Sequence, residues 1–140
     1  MSRKRLIGAV LVAVVLTGCS GTDENALTTY DGSTCVYEGP LEFDLNSTVN
    51  FGFVNNSETT DMGFSVWKVP EGGTANDILG STFEPGEGQV GFMGAINPPT
   101  VRGGTQIKTV ALGAPGQYVL VCSDYSTEID HANTVTVSEG

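Results

Sequence analysis

The chain has 140 residues, 39% of them hydrophobic, and its 16 acidic residues against six basic ones give a formal net charge of −10 at pH 7. This length supports one domain with a buried core. The acidic balance repels phosphate backbones and anionic lipid headgroups, which argues against nucleic-acid binding and against a basic membrane-binding face. It suits cationic partners, or it serves solubility alone, since the acidic residues form no continuous run.

The start of the chain has three parts: Arg3, Lys4 and Arg5 precede an eleven-residue apolar run over 6–16, and Leu-Thr-Gly-Cys closes that run at Cys19. This layout resembles a bacterial lipoprotein signal. Cations hold the start on the cytoplasmic side while the apolar run enters the bilayer. Eleven residues rise about 16 Å as a helix, roughly half of the hydrocarbon core, so the run does not predict a spanning helix.

We expect cleavage to remove the signal peptide 1–18 and to leave Cys19 as the first residue. Resemblance to bacterial lipoproteins implies a diacylglyceryl group on the Cys19 sulfur and often a further acyl chain, such as palmitate, on the new amino terminus. Two acyl chains anchor a protein stably on a membrane surface. The segment 19–33 is then the lipidated cysteine with a polar, flexible tether, and the folded domain occupies 34–140 on the extracytoplasmic face of the cell membrane.

Residues 34–140 alternate apolar and polar side chains in short segments separated by turn residues, with almost no helical periodicity. In the clearest segment, Val49, Phe51 and Phe53 share one face. This period of two predicts an all-β sandwich or barrel of seven or eight strands. The predicted strands are 34–37, 42–45, 48–54, 62–69, a brief one at 90–93, 105–112, 117–123 and 133–137, and one capped helical turn is predicted at 74–79.

Met62 and Trp67 lie on opposite faces of the predicted strand 62–69. Met62 and Met93 are either core residues or soft ligands for Cu(I) together with His131. Trp67 is either an exposed recognition aromatic or a side chain buried in the sandwich against a disulfide.

Two cysteines remain once Cys19 is assigned to lipid, namely Cys35 and Cys122. An even number of cysteines outside the cytoplasm favours a disulfide between them. Closing so long a loop stabilises a fold by roughly 4 to 5 kcal/mol in the chain-entropy model.

The segment 114–122 carries a Pro-Gly turn at Pro115, then Tyr118 in the next strand and a cysteine four residues later. This arrangement resembles the end of cupredoxins, the blue-copper Greek-key sandwiches. The front segment Cys35–Pro40 resembles a copper-free set of cupredoxin-like bacterial lipoproteins. The resemblance covers about residues 34–137 and implies a Greek-key cupredoxin-like β-sandwich of seven or eight strands.

The resemblance also implies a ligand set that this chain lacks in most positions. A blue-copper site uses two imidazoles, a thiolate and usually a weak methionine ligand. Cys122 matches the thiolate position, but the sole histidine of the chain is His131, nine residues later, and no methionine lies between them. A Cys122 sulfur bonded to Cys35 is not a thiolate. We therefore expect no copper and no other cofactor; the alternative is copper handling or electron transfer through a free Cys122 and His131.

The same loop predicts one further candidate site. Asp124, Glu128 and Asp130 lie beside His131, and they form either a divalent-cation site or an exposed acidic loop.

No nucleophile-and-base motif and no phosphate-binding loop is present, so we expect no enzymatic activity. The sequence therefore predicts a membrane-anchored extracytoplasmic lipoprotein whose copper-free cupredoxin-like domain is a binding or structural module. Its expected partners are the membrane, through the lipid anchor, and an envelope protein or a small cationic ligand, with no nucleic acid.

Overall fold

The computed structural model describes residues 26–79 and 91–139, and the predicted signal peptide, Cys19 and the start of the tether lie outside the described residues. In the described part, no helix is long and apolar enough to cross a membrane. The only helical element described is a 3₁₀ helix at Ala75–Asp77. The strands are β1 Leu27–Tyr30, β2 Cys35–Glu38, β3 Glu42–Asp44, β4 Thr48–Asn55, β5 Met62–Lys68, β6 Phe92–Ile96, β7 Thr105–Ala111, β8 Gly116–Asp124 and β9 Ile129–Ser138.

These strands form two sheets that pack face to face. The four-stranded sheet has the order β2-β1-β4-β7 and the five-stranded sheet the order β3-β9-β8-β5-β6. β1 pairs with β4 and β3 with β9 in parallel, and the other neighbours are antiparallel. The chain therefore crosses between the sheets several times, and the predicted all-β sandwich is confirmed with nine described strands in place of seven or eight.

The tether predicted at 19–33 is wrong from residue 26 onward, because residues 26–33 form a strand and the turn into β2. Leu27–Tyr30 forms β1 and lies between β2 and β4 in the four-stranded sheet. Thr28 and Tyr30 are buried while Leu27 and Thr29 are only partly so, which is the alternation of a strand with one face on the core. The threonines made this segment look polar, but β-branched threonine fits a pleated, half-buried surface.

The last hairpin is longer than predicted. β8 and β9 pair from Gly116↔Val137 to Asp124↔Ile129, so residues 129–132, predicted as loop, belong to a strand. Backbone pairing with β8 overrides the polar character of this stretch. Residue 90 of the brief strand predicted at 90–93 lies outside the described residues, and the described strand here is Phe92–Ile96, beside β5.

The core between the sheets is built from the predicted inward faces. Val49, Phe51 and Phe53 on β4 are buried, and the Phe53 ring stacks on Phe64 with 5.3 Å between ring centroids. A smaller cluster covers the outer side of the five-stranded sheet, so β5 and β8 are buried on both faces. That cluster contains Trp67, Val69, Ile78, Val119 and Val121.

Trp67 is buried, but not against the disulfide. It lies in the outer cluster, whereas the core between the sheets contains Cys122. Its indole Nε1 donates to Ser65 Oγ at 2.7 Å, and its ring meets Phe92 edge-on.

Candidate functional site

One end of the sandwich, which we call the disulfide end, holds four candidate residues from the sequence: Cys35, Cys122, Asp124 and His131. There Cys35 on β2 and Cys122 on β8 form a disulfide that bridges 87 positions of the chain, with 6.2 Å between their Cα atoms. The bond joins an edge strand of the four-stranded sheet to an inner strand of the five-stranded sheet. The Cys122 sulfur is therefore part of a covalent link between the sheets.

His131 lies on β9 and not in the predicted loop. The strand register places it directly opposite Cys122. Its half-buried ring lies 5.7 Å from the Tyr30 ring, centroid to centroid, at a tilt of 44°. Two residues further along the same face, Asn133 Nδ2 donates to the carbonyl oxygen of Cys35 at 3.1 Å. The imidazole contacts Tyr30 of the four-stranded sheet, so it is part of the packing between the two sheets.

Asp124 is a buried carboxylate at this end, only 7% exposed. Its Oδ2 accepts a hydrogen bond from the Tyr30 hydroxyl at 3.1 Å, and its Oδ1 accepts from both the amide and the hydroxyl of Ser126. Burial raises the pKa of Asp124, but the hydrogen bonds from Ser126 and Tyr30 outweigh burial and hold that pKa below its usual range. Burial first, and the Asp124 carboxylate second, raise the pKa of Tyr30.

The predicted acidic cluster does not converge on one point. Asp124 faces the core, whereas Asp130 accepts a hydrogen bond from Ser123 Oγ at 2.7 Å on the other face of the hairpin. Glu128 is exposed in the turn with a positive φ of 58°. In residues 26–79 and 91–139, no group of three or more His, Cys, Asp or Glu is arranged to hold a metal ion.

The side chains at the disulfide end do not fit a blue-copper centre. The Cys122 sulfur is oxidised, and the chain supplies a single imidazole where such a centre needs two. Met62 is fully buried in the core and Met93 packs against that core, which is the first of the two roles considered for them.

The opposite end of the sandwich holds a pocket that the sequence analysis missed. Its volume is about 550 Å³, and it lies between the turn Pro70–Gly73 after β5 and the turn Ala114–Gly116 before β8. The antiparallel register Lys68↔Tyr118 brings these two turns together. We call this the pocket end. The Pro-Gly and Gly-Gly turns were visible in the sequence, but their proximity depends on the β5–β8 pairing.

Lys68 brings a positive charge to the pocket. Its Nζ donates to the carbonyl oxygen of Val69 at 2.9 Å and lies 5.9 Å from the centroid of the Tyr118 ring. Among the described residues, the one ion pair within 4 Å is the exposed contact of Arg102 with Glu58. No described carboxylate therefore neutralises the Lys68 ammonium.

No protein-family model matches this sequence, and no curated protein matches it. Solved structures of similar shape include a dithionite-reduced auracyanin from the photosynthetic bacterium Roseiflexus castenholzii, with a TM-score of 0.52 and 20% identity over 84% of this chain and 99% of that one. Auracyanin A, a "blue" copper protein from Chloroflexus aurantiacus, gives a TM-score of 0.51 and 17% identity over 80% of this chain and 96% of that one. At these identities the likeness shows a shared cupredoxin-type fold alone.

Proposed function

We propose that this protein is a lipid-anchored extracytoplasmic lipoprotein whose cupredoxin-type domain works without copper as a binding or structural module and catalyses no reaction. The shared fold supports the domain type. The side chains at the disulfide end support the loss of the metal.

The observation that carries the proposal is the bond between Cys122 and Cys35. Cys122 takes the place of the thiolate in the family pattern, and a sulfur already bonded to another sulfur does not serve as a thiolate ligand. A stable disulfide also suits a protein that folds outside the reducing cytoplasm.

The anchor rests on the signal pattern that ends at Cys19. Ala26, the first described residue, is buried and its carbonyl accepts from the Gly52 amide, so the described fold includes a residue only seven positions after Cys19. Seven residues span about 25 Å at most. Lipid on Cys19 therefore keeps the domain close to the membrane surface, where an envelope protein or a cationic ligand meets its acidic exterior.

A thiol count and a copper titration on one sample test the metal-free assignment. The lipidated chain, purified in detergent under oxidising conditions, is expected to show no free thiol and no intense visible absorption band with Cu(II). A free thiol together with such a band would overturn the assignment and favour copper handling or electron transfer through Cys122 and His131.

The anchor has its own test. Cys19→Ser is expected to move the protein from the membrane fraction to the soluble fraction and to remove the mass of the lipid. Ser20→Ala is the control and should stay with the membrane. Membrane retention of Cys19→Ser would contradict the lipid anchor.

A further inference from the structure

The pocket end is held in shape by its own hydrogen bonds. The Val69 amide donates to the Gln117 carbonyl at 2.9 Å, which fixes the distance between the two turns. The Gly73 amide donates to the Pro70 carbonyl at 2.8 Å, and the Thr74 amide donates to Asp77 Oδ2 at 2.7 Å. The pocket is therefore preformed, as small-molecule sites usually are.

The backbone of Gly116 makes room for the Lys68 side chain. Gly116 has a φ of +126°, and a Cβ placed on it would lie 2.9 Å from Lys68 Nζ and 3.2 Å from Cε. The lysine thus lies along bare backbone, and one of its three N–H groups is used by Val69. Among residues 26–79 and 91–139, Val69 is the one hydrogen-bond partner of this ammonium.

Glu71 supplies a charge of the opposite sign. It lines the same pocket and is exposed, and its carboxylate is not within 4 Å of the Lys68 ammonium. Within the described residues, the pocket therefore offers one cation and one anion that do not neutralise each other.

The remaining walls are largely apolar. Pro70, Ala114 and Pro115 are apolar residues that line the pocket beside Val69 and Gln117, and the two prolines carry no N–H. A volume of about 550 Å³ lies inside the usual range for small-molecule pockets. These residues suit the apolar body of a small ligand.

Charge decides among the ligand classes. A net anion would be repelled by a chain with 16 acidic and six basic residues, and a net cation would be repelled by the Lys68 ammonium inside the pocket. A zwitterion avoids both repulsions, that of a net anion by the acidic chain and that of a net cation by Lys68, because its carboxylate faces Lys68 and its ammonium faces Glu71. We propose that this pocket binds a small zwitterion with an apolar body, in the manner of a free apolar α-amino acid. The proposal deepens the binding role proposed above and rests on it.

Amide chemical shifts of the lipidated chain in detergent micelles test the site. The probe is L-leucine, compared with 4-methylpentanoate, which lacks the ammonium, and leucinamide, which lacks the carboxylate. L-leucine is expected to shift the amides of 71–73 and 116–117 with a dissociation constant on the order of 1 mM, and each analogue to bind about tenfold more weakly or worse.

Variants separate the site from general effects. Glu71→Gln, at an exposed position, and Lys68→Gln are each expected to weaken L-leucine binding about tenfold. Lys108→Gln, a lysine on β7 outside the pocket, is the control and should bind L-leucine like the parent.

Equal binding of the three compounds, shifts elsewhere in the domain, or no shift up to about 50 mM would overturn the zwitterion site, and so would full binding by folded Glu71→Gln. The thiol count and the copper titration test the metal-free assignment independently of L-leucine binding. If the zwitterion site fails while no free thiol and no copper band are found, the metal-free assignment still stands. Failure of the site and failure of the metal-free assignment are therefore distinguishable.

Discussion

The two ends of the sandwich are built on the same pair of strands but are closed in different ways. Along β5 and β8, Met62↔Asp124 marks the disulfide end and Lys68↔Tyr118 marks the pocket end. At the disulfide end, the Cys35–Cys122 bond and the Tyr30 hydrogen bond to Asp124 tie one sheet to the other. At the pocket end, two turns stand apart and leave open space.

This difference separates stability from binding within one fold. At the disulfide end the polar side chains bind one another: Asp124 accepts hydrogen bonds from Tyr30 and Ser126, and the His131 ring packs on Tyr30. The pocket end keeps charged groups that no described side chain neutralises. Substitutions at the disulfide end are therefore expected to act on the free energy of unfolding, and those at the pocket end mainly on ligand affinity.

The largest expected effect is the loss of the disulfide. The double variant Cys35→Ser with Cys122→Ser should lose roughly 4 to 5 kcal/mol of stability, because the open chain gains entropy when a long loop is released. The melting temperature should fall on the order of 15 °C, as followed by circular dichroism. The parent treated with a reductant is the matched control and should have the same melting temperature as the variant. A variant with the melting temperature of the oxidised parent would contradict the prediction.

The next largest loss of stability is expected when the Tyr30 hydrogen bond is removed. Tyr30→Phe should cost about 2 kcal/mol at pH 7, because the hydroxyl donates to a buried, charged Asp124. Tyr37→Phe is the control, since the Tyr37 hydroxyl donates to the neutral Pro40 carbonyl at an exposed site.

The cost of Tyr30→Phe should also depend on pH. The folded-state pKa of Asp124 is depressed, so its ionised form stabilises the fold above the unfolded pKa of about 3.9 and that contribution is lost as the pH falls through the folded pKa. In urea titrations from neutral pH into acid, the gap between parent and Tyr30→Phe should shrink below about pH 4. A gap that stays constant would mean that Asp124 is not the charged partner.

At the pocket end, the strongest effect on stability is expected from Gly116→Ala. Its φ of +126° disfavours any side chain, and the new Cβ would lie 2.9 Å from Lys68 Nζ, so we expect a loss of about 1 to 2 kcal/mol. Gly113→Ala meets nothing within 4 Å and serves as the control in the same denaturant titration. Equal stability of the two variants would show that Gly116 is not constrained.

The smallest effect, and one of opposite sign, is expected from Thr28→Val. Thr28 is fully buried on β1, and its hydroxyl has no hydrogen-bond partner in the described structure. An isosteric valine removes that desolvated group and should stabilise the domain by about 1 kcal/mol. Thr29→Val on the outer face is the control and should change stability little. A destabilised Thr28→Val would show that the hydroxyl has a partner in solution.

Local patterns predicted most of the strands because a strand reveals its period within a few residues. Val49, Phe51 and Phe53 alternate with polar or small residues, and each is buried as expected. β1 was missed because its threonines hide that alternation. The start of β9 was missed because its pairing with β8, and not its composition, makes it a strand.

The sequence by itself determined the all-β class and left Cys35 and Cys122 as the pair for a disulfide, because alternation and cysteine number are local or countable properties. Tertiary structure alone decided that His131 faces Cys122, that Asp124 and Asp130 lie on opposite faces, and that Lys68 and Glu71 share a pocket with the turn before β8. Those relations depend on strand register. A shift of one residue in register moves every side chain of a strand to the other face, and composition does not encode that choice.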